Sequence, residues 1–440
     1  MSDRDGMIGV VADDITGAGD IGIMLAKAGL TADVYSYGGT GAFRPDAACD
    51  ALVLDTDSRF DEPRAAYGKV FEATRRLQEL GCTQYINKTC SVFRGNIGPA
   101  FDAMLDALGE SFAVVVLGFP KNGRTTVDGI HYVHGRKLEE SEFRHDPVHP
   151  MTDSDLAAIL RRQTSRTVAS VPFAFVDAGA ETLRAELDRH RSAGVHYAIV
   201  DVTDQAALAV IAEAVHDVKV LCGSSALSEE LALLRQRRAG AATLAQRELP
   251  IRRNAGLGVL CAAGSLMPQT AAQIAYMKER GIASYRIDTL RLLDERGRAA
   301  ETLRLVEAIA ADIARGVDVL YHSENGGEQV AAVKAEAARR GIDNKAVSRL
   351  VSGTVAAIAA ETLARAGQNR LLVAGGDTSA AVCARLGVTG MRVWKEIQPG
   401  LPSCLTLPVD AERSLLLVLK SGSFGKPDFF EQAIAHLKQQ

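Results

Sequence analysis

Short runs of β-branched and other apolar residues alternate with longer helical patterns through both halves of this 440-residue chain. Glycine, serine, threonine or aspartate follows many of the runs, which is typical of buried strands that end in a turn. Strands that alternate with helices form a largely parallel sheet covered by helices. The sequence therefore predicts an α/β fold with two α/β domains, each built on a largely parallel sheet.

A basic stretch over residues 235–255 separates the two predicted domains, which we place at 1–245 and 246–440. A chain of this length exceeds what one hydrophobic core usually supports. In the first domain we expect strands at 7–13, 32–36, 51–55, 84–87, 113–117, 167–170, 172–176, 197–201 and 218–222, and helices at 16–28, 62–80 and 97–107. In the second we expect strands at 257–262, 283–287, 317–322 and 370–374, and helices at 268–280, 300–315, 328–340, 344–365 and 378–386. Residues 118–152 are rich in Gly, His and Pro and predict a loop or hairpin excursion.

Composition and net charge limit the classes of binding partner and the cellular compartment that we expect for this chain. The formal net charge is −4 and the pI is about 6.2, which argues against a nucleic-acid or anionic-membrane partner. No run of about 18 apolar residues occurs, so we expect no membrane-spanning helix. The seven cysteines are scattered and form no Cys-x-x-Cys pair, which favours free thiols and a cytoplasmic location.

Three glycine- and hydroxyl-rich turns in the C-terminal half predict a nucleotide-phosphate site. Glycine lets backbone N–H groups approach an anion, and a helix N-terminus favours negative charge. None of the turns is a Walker A loop, which needs Gly-x-x-x-x-Gly-Lys-Ser/Thr. Asp377 is the candidate Mg²⁺ ligand, directly or through water. The candidate nucleotide-binding residues are Gly264, Ser265, Gly375, Gly376, Asp377, Thr378, Ser379, Ser421 and Gly422.

Polar clusters in the N-terminal half predict a site for an anionic substrate. Asp13 and Asp14 follow the first strand and could bind hydroxyls or supply a general base, although one of them could instead cap the next helix. Arg59 has the fork shape that clamps a carboxylate, although a loop arginine is often only a solvated charge. The segment 88–96 places two cations, two hydroxyls and a glycine between a strand and a helix, as an anion site requires.

These motifs together resemble those of the four-carbon acid sugar kinases over nearly the whole chain. The matching segments are 12–18, 55–59, 88–96, 118–125, 146–150, 264–265, 375–379, 399–402 and 420–425. The resemblance implies an acid-sugar-binding N-terminal domain and a nucleotide-binding C-terminal domain, with the active site in the cleft between them. It also implies phosphorylation of the terminal hydroxyl of a four-carbon sugar acid, with ATP and Mg²⁺.

The resemblance further assigns residue roles. Asp14, or else Asp13, would be the general base, and the substrate-binding residues would be Arg59, Lys88, Thr89, Cys90, Ser91, Arg94 and Asn96. Many members carry aspartate where this chain has Cys90, a difference beside the substrate. Arg94-Gly95-Asn96 is kept, which favours a threonate or erythronate enzyme. D-threonate is the preferred prediction, with D-erythronate or 3-oxo-tetronate as alternatives.

The sequence disfavours two other classes of function. A dehydrogenase with a Rossmann site is disfavoured, because no Gly-x-Gly-x-x-Gly follows a predicted strand. A non-catalytic sensor of sugar acids and nucleotides would keep the cationic site but has no need of three phosphate loops. The alanine-rich helices are compatible with a homodimer, although apolar helix faces usually just cover the sheet.

Overall fold

The chain divides into two compact units, Met1–Ala245 and Gln246–Gln440. The computed structural model describes residues 6–37, 49–146, 148–239, 251, 254, 256–323, 326–410 and 412–440. The predicted boundary between residues 245 and 246 lies outside the described residues. Each unit is an α/β structure built on a largely parallel sheet, so the predicted fold class is confirmed.

Unit 1 contains eleven strands and eight α-helices among its described residues. The strands are β1 Met7–Ala12, β2 Ala32–Ser36, β3 Ala51–Asp55, β4 Cys82–Lys88, β5 Ala113–Val116, β6 Arg124–Val127, β7 Ile130–Val133, β8 Arg136–Lys137, β9 Val168–Val171, β10 Tyr197–Val200 and β11 Val220–Gly223. The helices are α1 Ile15–Lys27, α2 Pro63–Glu79, α3 Ile97–Leu108, α4 Leu156–Arg161, α5 Phe173–Asp177, α6 Ala180–Ser192, α7 Gln205–Val215 and α8 Ala226–Ala239.

The main sheet of unit 1 has the order β2-β3-β1-β4-β11-β5-β10-β9. All its pairs are parallel. Its central strands are fully buried, as expected when helices cover both faces of a parallel sheet. The antiparallel strands β6, β7 and β8 form a separate small sheet within the predicted 118–152 excursion.

Unit 2 contains seven strands and six α-helices among its described residues. The strands are β12 Leu260–Ala263, β13 Ala283–Arg286, β14 Val319–His322, β15 Arg370–Ala374, β16 Gly390–Gln398, β17 Leu401–Thr406 and β18 Leu416–Lys420. The helices are α9 Pro268–Glu279, α10 Glu295–Ala314, α11 Gly327–Arg339, α12 Asn344–Ala366, α13 Gly376–Leu386 and α14 Phe429–Gln439. The order is β13-β14-β12-β15-β18-β17-β16, parallel as far as β18 and antiparallel beyond it.

One predicted strand, 172–176, is wrong. Its apolar residues form the short helix α5, which starts directly after Pro172. The N–H of Phe173 bonds the Asp201 carboxylate at 3.2 Å, so the first turn is held from outside the helix. A short apolar run fits a buried strand and a buried helical turn equally well, which explains the error.

Helix α12 is, by length and composition alone, apolar enough to cross a membrane. Serine, threonine and charged residues interrupt its apolar residues, so no membrane-spanning helix was predicted from the sequence. In unit 2, Val355, Ile358 and Ala359 of this helix are buried, and the Tyr321 hydroxyl donates to the Val355 carbonyl at 2.8 Å. These contacts are those of a core helix that covers a sheet.

Candidate functional site

The polar segments of unit 1 meet where the chain reverses its direction across the sheet. From β1 the chain passes through α1 to β2 on one side, and from β4 it passes through α3 toward β5 on the other. Ala12 at the end of β1 pairs with Asp55 of β3 and with Lys88 of β4. Open parallel sheets bind ligands beyond the strand ends at such a point. The segments that follow β1, β3 and β4 therefore surround one site.

Arg59 joins Asp13 and Asp14 in a buried charge cluster. Its Nε and Nη2 donate to the two Asp13 oxygens at 2.9 and 2.7 Å, and its Nη1 donates to Asp14 Oδ2 at 2.6 Å. Burial lowers the pKa of Arg59, but the two carboxylates outweigh it and hold that pKa well above its usual value. The guanidinium fork is therefore engaged by the protein's own carboxylates.

Asp14 is also the N-cap of α1. Its carboxylate accepts hydrogen bonds from the Gly17 N–H at 2.7 Å and the Thr16 hydroxyl at 2.8 Å. Burial raises the pKa of Asp14, but the charges of Arg59 and Lys88 and the two hydrogen bonds outweigh it, so the pKa lies below its usual value. The helix-cap alternative thus holds, and any catalytic role of Asp14 is exercised by a carboxylate that stays ionised.

Lys88 lies beside a second buried acid that the sequence analysis missed. Its Nζ is 3.4 Å from Asp20 Oδ2, which also accepts from the Ser225 hydroxyl at 2.7 Å. Burial raises the pKa of Asp20, and Lys88 only partly offsets this. Among the described residues, Asp20 Oδ1 has no hydrogen-bond partner. The available signal was an acid on the otherwise apolar face of α1.

Arg94 provides the second guanidinium of this site. Its Nη1 bonds Asp146 Oδ2 at 2.6 Å, and its charge lies 6.0 Å from each of the Phe60 and Phe143 ring centroids. Burial lowers the pKa of Arg94, but the neighbouring Cys90 and the Asp146 carboxylate outweigh it, so the pKa is raised. Its buried Nε has no partner among the described residues, so one donor of the guanidinium is unsatisfied.

Asn96 and Gly95 support the Arg59 loop. The Asn96 side-chain amide donates to the carbonyls of Ser58, Arg59 and Asp61 at 3.0, 3.3 and 2.8 Å. Gly95 has φ +108°, and a Cβ there would lie 2.9 Å from Arg59 Cγ. The structure thus gives these two residues a role in holding Arg59 in place.

Thr89, Cys90 and Ser91 form the turn between β4 and Arg94. The Thr89 N–H donates to the Gly223 carbonyl at 2.9 Å, and its buried hydroxyl has no partner among the described residues. Ser91 is buried, whereas Cys90 is half-buried. The turn therefore brings a hydroxyl and a thiol beside the Arg94 guanidinium.

Three neighbouring strands of unit 2 end side by side in the predicted phosphate loops. Ala263 of β12 pairs with Ala374 of β15, which pairs with Lys420 of β18. From β12 the chain moves toward β13, and from β15 it moves toward β16 in the opposite direction across the sheet. The loops after β12 and β15 thus lie where the strand order reverses, the usual place for a nucleotide in this architecture.

The three loops approach so closely that a Cβ on the glycine of one loop would crowd a residue of another. A Cβ on Gly264 would overlap the Thr378 hydroxyl, and one on Gly375 would lie 3.3 Å from the Ser265 nitrogen. A Cβ on Gly422 would overlap the Ser265 hydroxyl and lie 2.9 Å from Met267 Cγ. Ser421, half-buried, opens the third loop. Residues predicted separately from the sequence are therefore in contact in the fold.

The N-terminus of α13 points backbone donors into this cluster of loops. Its N-cap, Gly375, supplies no side-chain cap, so the first N–H groups, from Gly376 onward, lack that partner. The buried Ser379 hydroxyl has no partner among the described residues. An uncapped helix start beside hydroxyls suits a phosphate.

Asp377 is exposed on the first turn of α13 and accepts from the Ser348 hydroxyl at 3.1 Å. Among the described residues, no group of three or more His, Cys, Asp or Glu side chains is placed to hold a metal ion. A single carboxylate still fits Mg²⁺, which takes oxygen ligands and keeps several waters while it binds substrate phosphates.

Comparison with known proteins finds matches to both units. A family model for a sugar-binding N-terminal domain matches residues 8–231, and one for a nucleotide-binding C-terminal domain matches residues 260–430. The chain is 36% identical to a 3-oxo-tetronate kinase of Cupriavidus necator, over 98% of this chain and 97% of that protein. It is 34% identical to a 3-oxo-tetronate kinase of Actinobacillus succinogenes, over 97% and 99%. A crystal structure from Salmonella typhimurium LT2 matches with a TM-score of 0.80 at 30% identity, over 98% of this chain and 99% of that one.

Proposed function

We propose that this chain, which belongs to the four-carbon acid sugar kinase family, transfers the γ-phosphoryl group of ATP to the C4 hydroxyl of a 3-oxo-tetronate. Family membership makes the protein a kinase that uses an alcohol group as acceptor. The observation that carries the proposal is the convergence of three glycine-rich loops after β12, β15 and β18, which supports a triphosphate site.

Two observations move the proposed substrate from D-threonate to a 3-oxo-tetronate. Several curated relatives, each matched over nearly its whole length, carry the name 3-oxo-tetronate kinase. The Arg94-Gly95-Asn96 segment favoured threonate, but Gly95 and Asn96 contact the backbone or side chain of the Arg59 loop. A segment that supports a loop is expected in every subtype and carries little information about the substrate.

In the proposed acid-sugar site, Arg94 binds the substrate carboxylate through the edge that Asp146 leaves free. Lys88 and the Thr89 hydroxyl complete the contacts, because both lie at the end of β4 beside the same turn. Arg59, predicted as a clamp for the substrate, instead orients Asp13 and Asp14. This division leaves the ionised Asp14 to receive a hydrogen bond from the C4 hydroxyl.

Catalysis of phosphoryl transfer depends mainly on positioning the reactants and neutralising the negative charge of the phosphates. A carboxylate with a lowered pKa is a weak base, so Asp14 aligns the hydroxyl and accepts its proton late in the transfer. In unit 2, the α13 N-terminus, Thr378 and Ser379 bind the phosphates, and Asp377 would hold Mg²⁺. When bound, Mg²⁺ offsets negative charge on the phosphates.

Replacing Asp14 with asparagine should lower kcat by about a hundredfold or more, the usual contribution of a general base. Asparagine is also a good N-cap, and Asp13 still pairs with Arg59, so the variant should stay folded. Because the pKa of Asp14 is lowered, this carboxylate stays ionised down to about pH 4, the ordinary range of aspartate. Protonation of Asp14 should therefore lower the kcat of the wild type only below that pH. Steady-state kinetics over pH checks both, with Asp13→Asn as the control. Near-normal turnover by Asp14→Asn would remove Asp14 as the base.

The substrate is tested by coupling ADP formation to a panel of D- and L-threonate, D- and L-erythronate and 3-oxo-tetronates. The highest kcat/KM is expected with a 3-oxo-tetronate, with a product phosphorylated at C4 and turnover lost without Mg²⁺. A clear preference for D-threonate would overturn the substrate and leave the kinase. Absence of turnover despite ATP binding would locate the error in the acid-sugar site, where Cys90 replaces an acid. No disulfide joins the seven described cysteines, which supports the proposed cytoplasmic location.

A further inference from the structure

Lys420 is a fully buried cation at the base of the third phosphate loop. It ends β18, and residues 421–426, here named the β18 loop, follow it directly. Its Nζ donates to the Thr270 hydroxyl at 2.9 Å and to the Gly422 carbonyl at 3.3 Å, and lies 5.9 Å from the Phe430 ring centroid. A buried lysine with so few partners is costly, so it invites a functional explanation.

None of the described groups that contact Lys420 is an acid. Thr270 of α9 and Phe430 of α14 are uncharged, and Lys420 pairs through its backbone with Ala374 of β15. The ionisable side chains on the surrounding elements are Tyr276, Lys278 and Glu279 on α9, Asp377, Cys383 and Arg385 on α13, Arg370 on β15, Cys404 on β17, Lys426 in the β18 loop, and Glu431, His436 and Lys438 on α14. Burial alone, with no contribution from these groups, lowers the pKa of Lys420 to about 7.

Hydrogen bonds from neighbouring side chains to its backbone carbonyls hold the β18 loop in place. The Thr270 hydroxyl donates to the Gly422 carbonyl at 2.8 Å, so that carbonyl is bound by both Thr270 and Lys420. The buried Gln273 amide donates to the carbonyls of Phe424, Gly425 and Lys426 at 3.1, 3.0 and 3.0 Å. Four carbonyls of one short loop are thus bound by side chains of α9 and by Lys420.

This arrangement determines where the loop's N–H groups point. A trans peptide is planar and directs its N–H away from its C=O. Holding the Gly422 carbonyl on Thr270 and Lys420 therefore turns the N–H of Ser423 to the opposite side. The N–H groups of Phe424 and Lys426 already donate to the Ser421 carbonyl at 3.3 Å and to the Gln398 side chain at 2.9 Å. The Ser423 N–H is thus a donor that this geometry directs toward an anion, as in anion-binding nests.

We propose that Lys420 is the positioning residue of the nucleotide site: it holds the β18 loop from behind through Thr270 and the Gly422 carbonyl, and its charge faces the triphosphate across that loop. The inference rests on the proposed binding of ATP by unit 2. Lys420 is 0% exposed, so it acts through the loop instead of contacting a phosphate as a P-loop lysine does. No other described cation lies among the side chains that hold this loop.

The charge of Lys420 makes ATP binding sensitive to pH in a defined direction. A bound triphosphate favours the charged form and raises the pKa of Lys420, so binding takes up a proton near pH 7.5. As the pH rises from 7 to 9, the free protein loses that proton and its affinity for ATP falls, by at most about tenfold per pH unit.

Titration calorimetry of the full-length protein with ATP, without sugar acid, tests the proposal. Wild type should take up a fraction of a proton, measured in buffers of different ionisation enthalpy. Lys420→Met should bind ATP about tenfold or more weakly at pH 7, with the proton uptake and the pH dependence both reduced. Thr270→Val, which keeps the charge and loses the hydroxyl, should weaken binding but keep the proton uptake.

Thermal unfolding separates positioning from a purely structural role. Lys420→Met should keep or raise Tm, because it removes a buried charge that has no acidic partner. Unchanged ATP affinity and proton uptake in Lys420→Met would overturn the inference, as would a loss of affinity that only parallels a fall in Tm. If wild type itself fails to bind ATP, the proposed function fails with it, so the two failures are distinguished by the wild-type titration.

Discussion

Replacing Arg59 with methionine should lower the free energy of unfolding by about 3–5 kcal/mol, the usual cost of leaving a buried charge unpaired. Asp13 and Asp14, each 7% exposed, would lose the guanidinium that binds both carboxylates. At roughly 2–4 °C per kcal/mol for a domain of this size, Tm of unit 1 should fall by about 10 °C. Chemical and thermal unfolding of the variant measure both quantities.

The loss should depend on pH. In wild type the folded-state pKa of Asp14 lies below its usual value, so its contribution to stability is present above pH 4 and is lost as the pH falls through the folded value. Without Arg59, burial would raise the pKa of Asp14, and the gap between the two proteins should narrow in acid. An equal gap at pH 4 and pH 8 would contradict the electrostatic explanation.

Two further variants make the Arg59 test specific. Arg162→Met removes an arginine that pairs with Asp153 at 2.8 Å but is 58% exposed, and should cost no more than about 1 kcal/mol. Adding Asp13→Asn and Asp14→Asn to Arg59→Met should recover part of the lost stability, because the buried negative charges are removed with their partner. A triple variant that is even less stable than Arg59→Met would indicate that lost packing, not unpaired charge, causes the destabilisation.

Replacing Gly375 with alanine should reduce the affinity for ATP about a hundredfold or more. Gly375 has φ +125°, and a Cβ there would lie 3.0 Å from the Thr378 hydroxyl and 3.3 Å from the Ser265 nitrogen. The backbone strain costs about 1–3 kcal/mol, and relieving it separates the loops after β12 and β15. ATP titration measures the loss, and binding of sugar acid to unit 1 should be unchanged.

Gly353→Ala is the matched control in the same unit. Gly353 lies in the interior of α12, and a Cβ there would meet nothing within 4 Å, so alanine should be neutral or stabilise by up to about 1 kcal/mol. If Gly375→Ala fails to fold, Gly422→Ala serves instead, because its backbone needs no positive φ and its Cβ meets the Ser265 side chain. ATP binding at wild-type strength in both loop variants would remove these loops as the phosphate site.

Local sequence patterns were enough to predict much of the fold and the positions of the candidate sites. The alternation of apolar runs and helical patterns predicted parallel sheets, and the polar clusters at 13–14, 55–59 and 88–96 were expected at strand ends. Parallel strands end at one edge of the sheet, so residues far apart in the chain were expected to meet there. The errors lie where local pattern is ambiguous, as in the 172–176 run that forms α5.

Which charges pair was decided only by the fold. Arg59 reaches Asp13 across 46 residues, and Lys420 reaches Thr270 across 150. No periodicity encodes such distances, and so Arg59 was predicted as a substrate clamp and Lys420 received no role. The homodimer and the roles of the individual site residues stay predictions.

The sequence by itself determined the α/β class, the resemblance to acid sugar kinases and the candidate loops, because these depend on residue types and spacings along the chain. The tertiary structure decided that Arg59 binds Asp13 and Asp14, that Asn96 supports the Arg59 loop, and that the buried Lys420 lies behind the β18 loop. The physical reason is that pairing and burial depend on separation in space and on exclusion of water, and both arise only when the strands and helices pack.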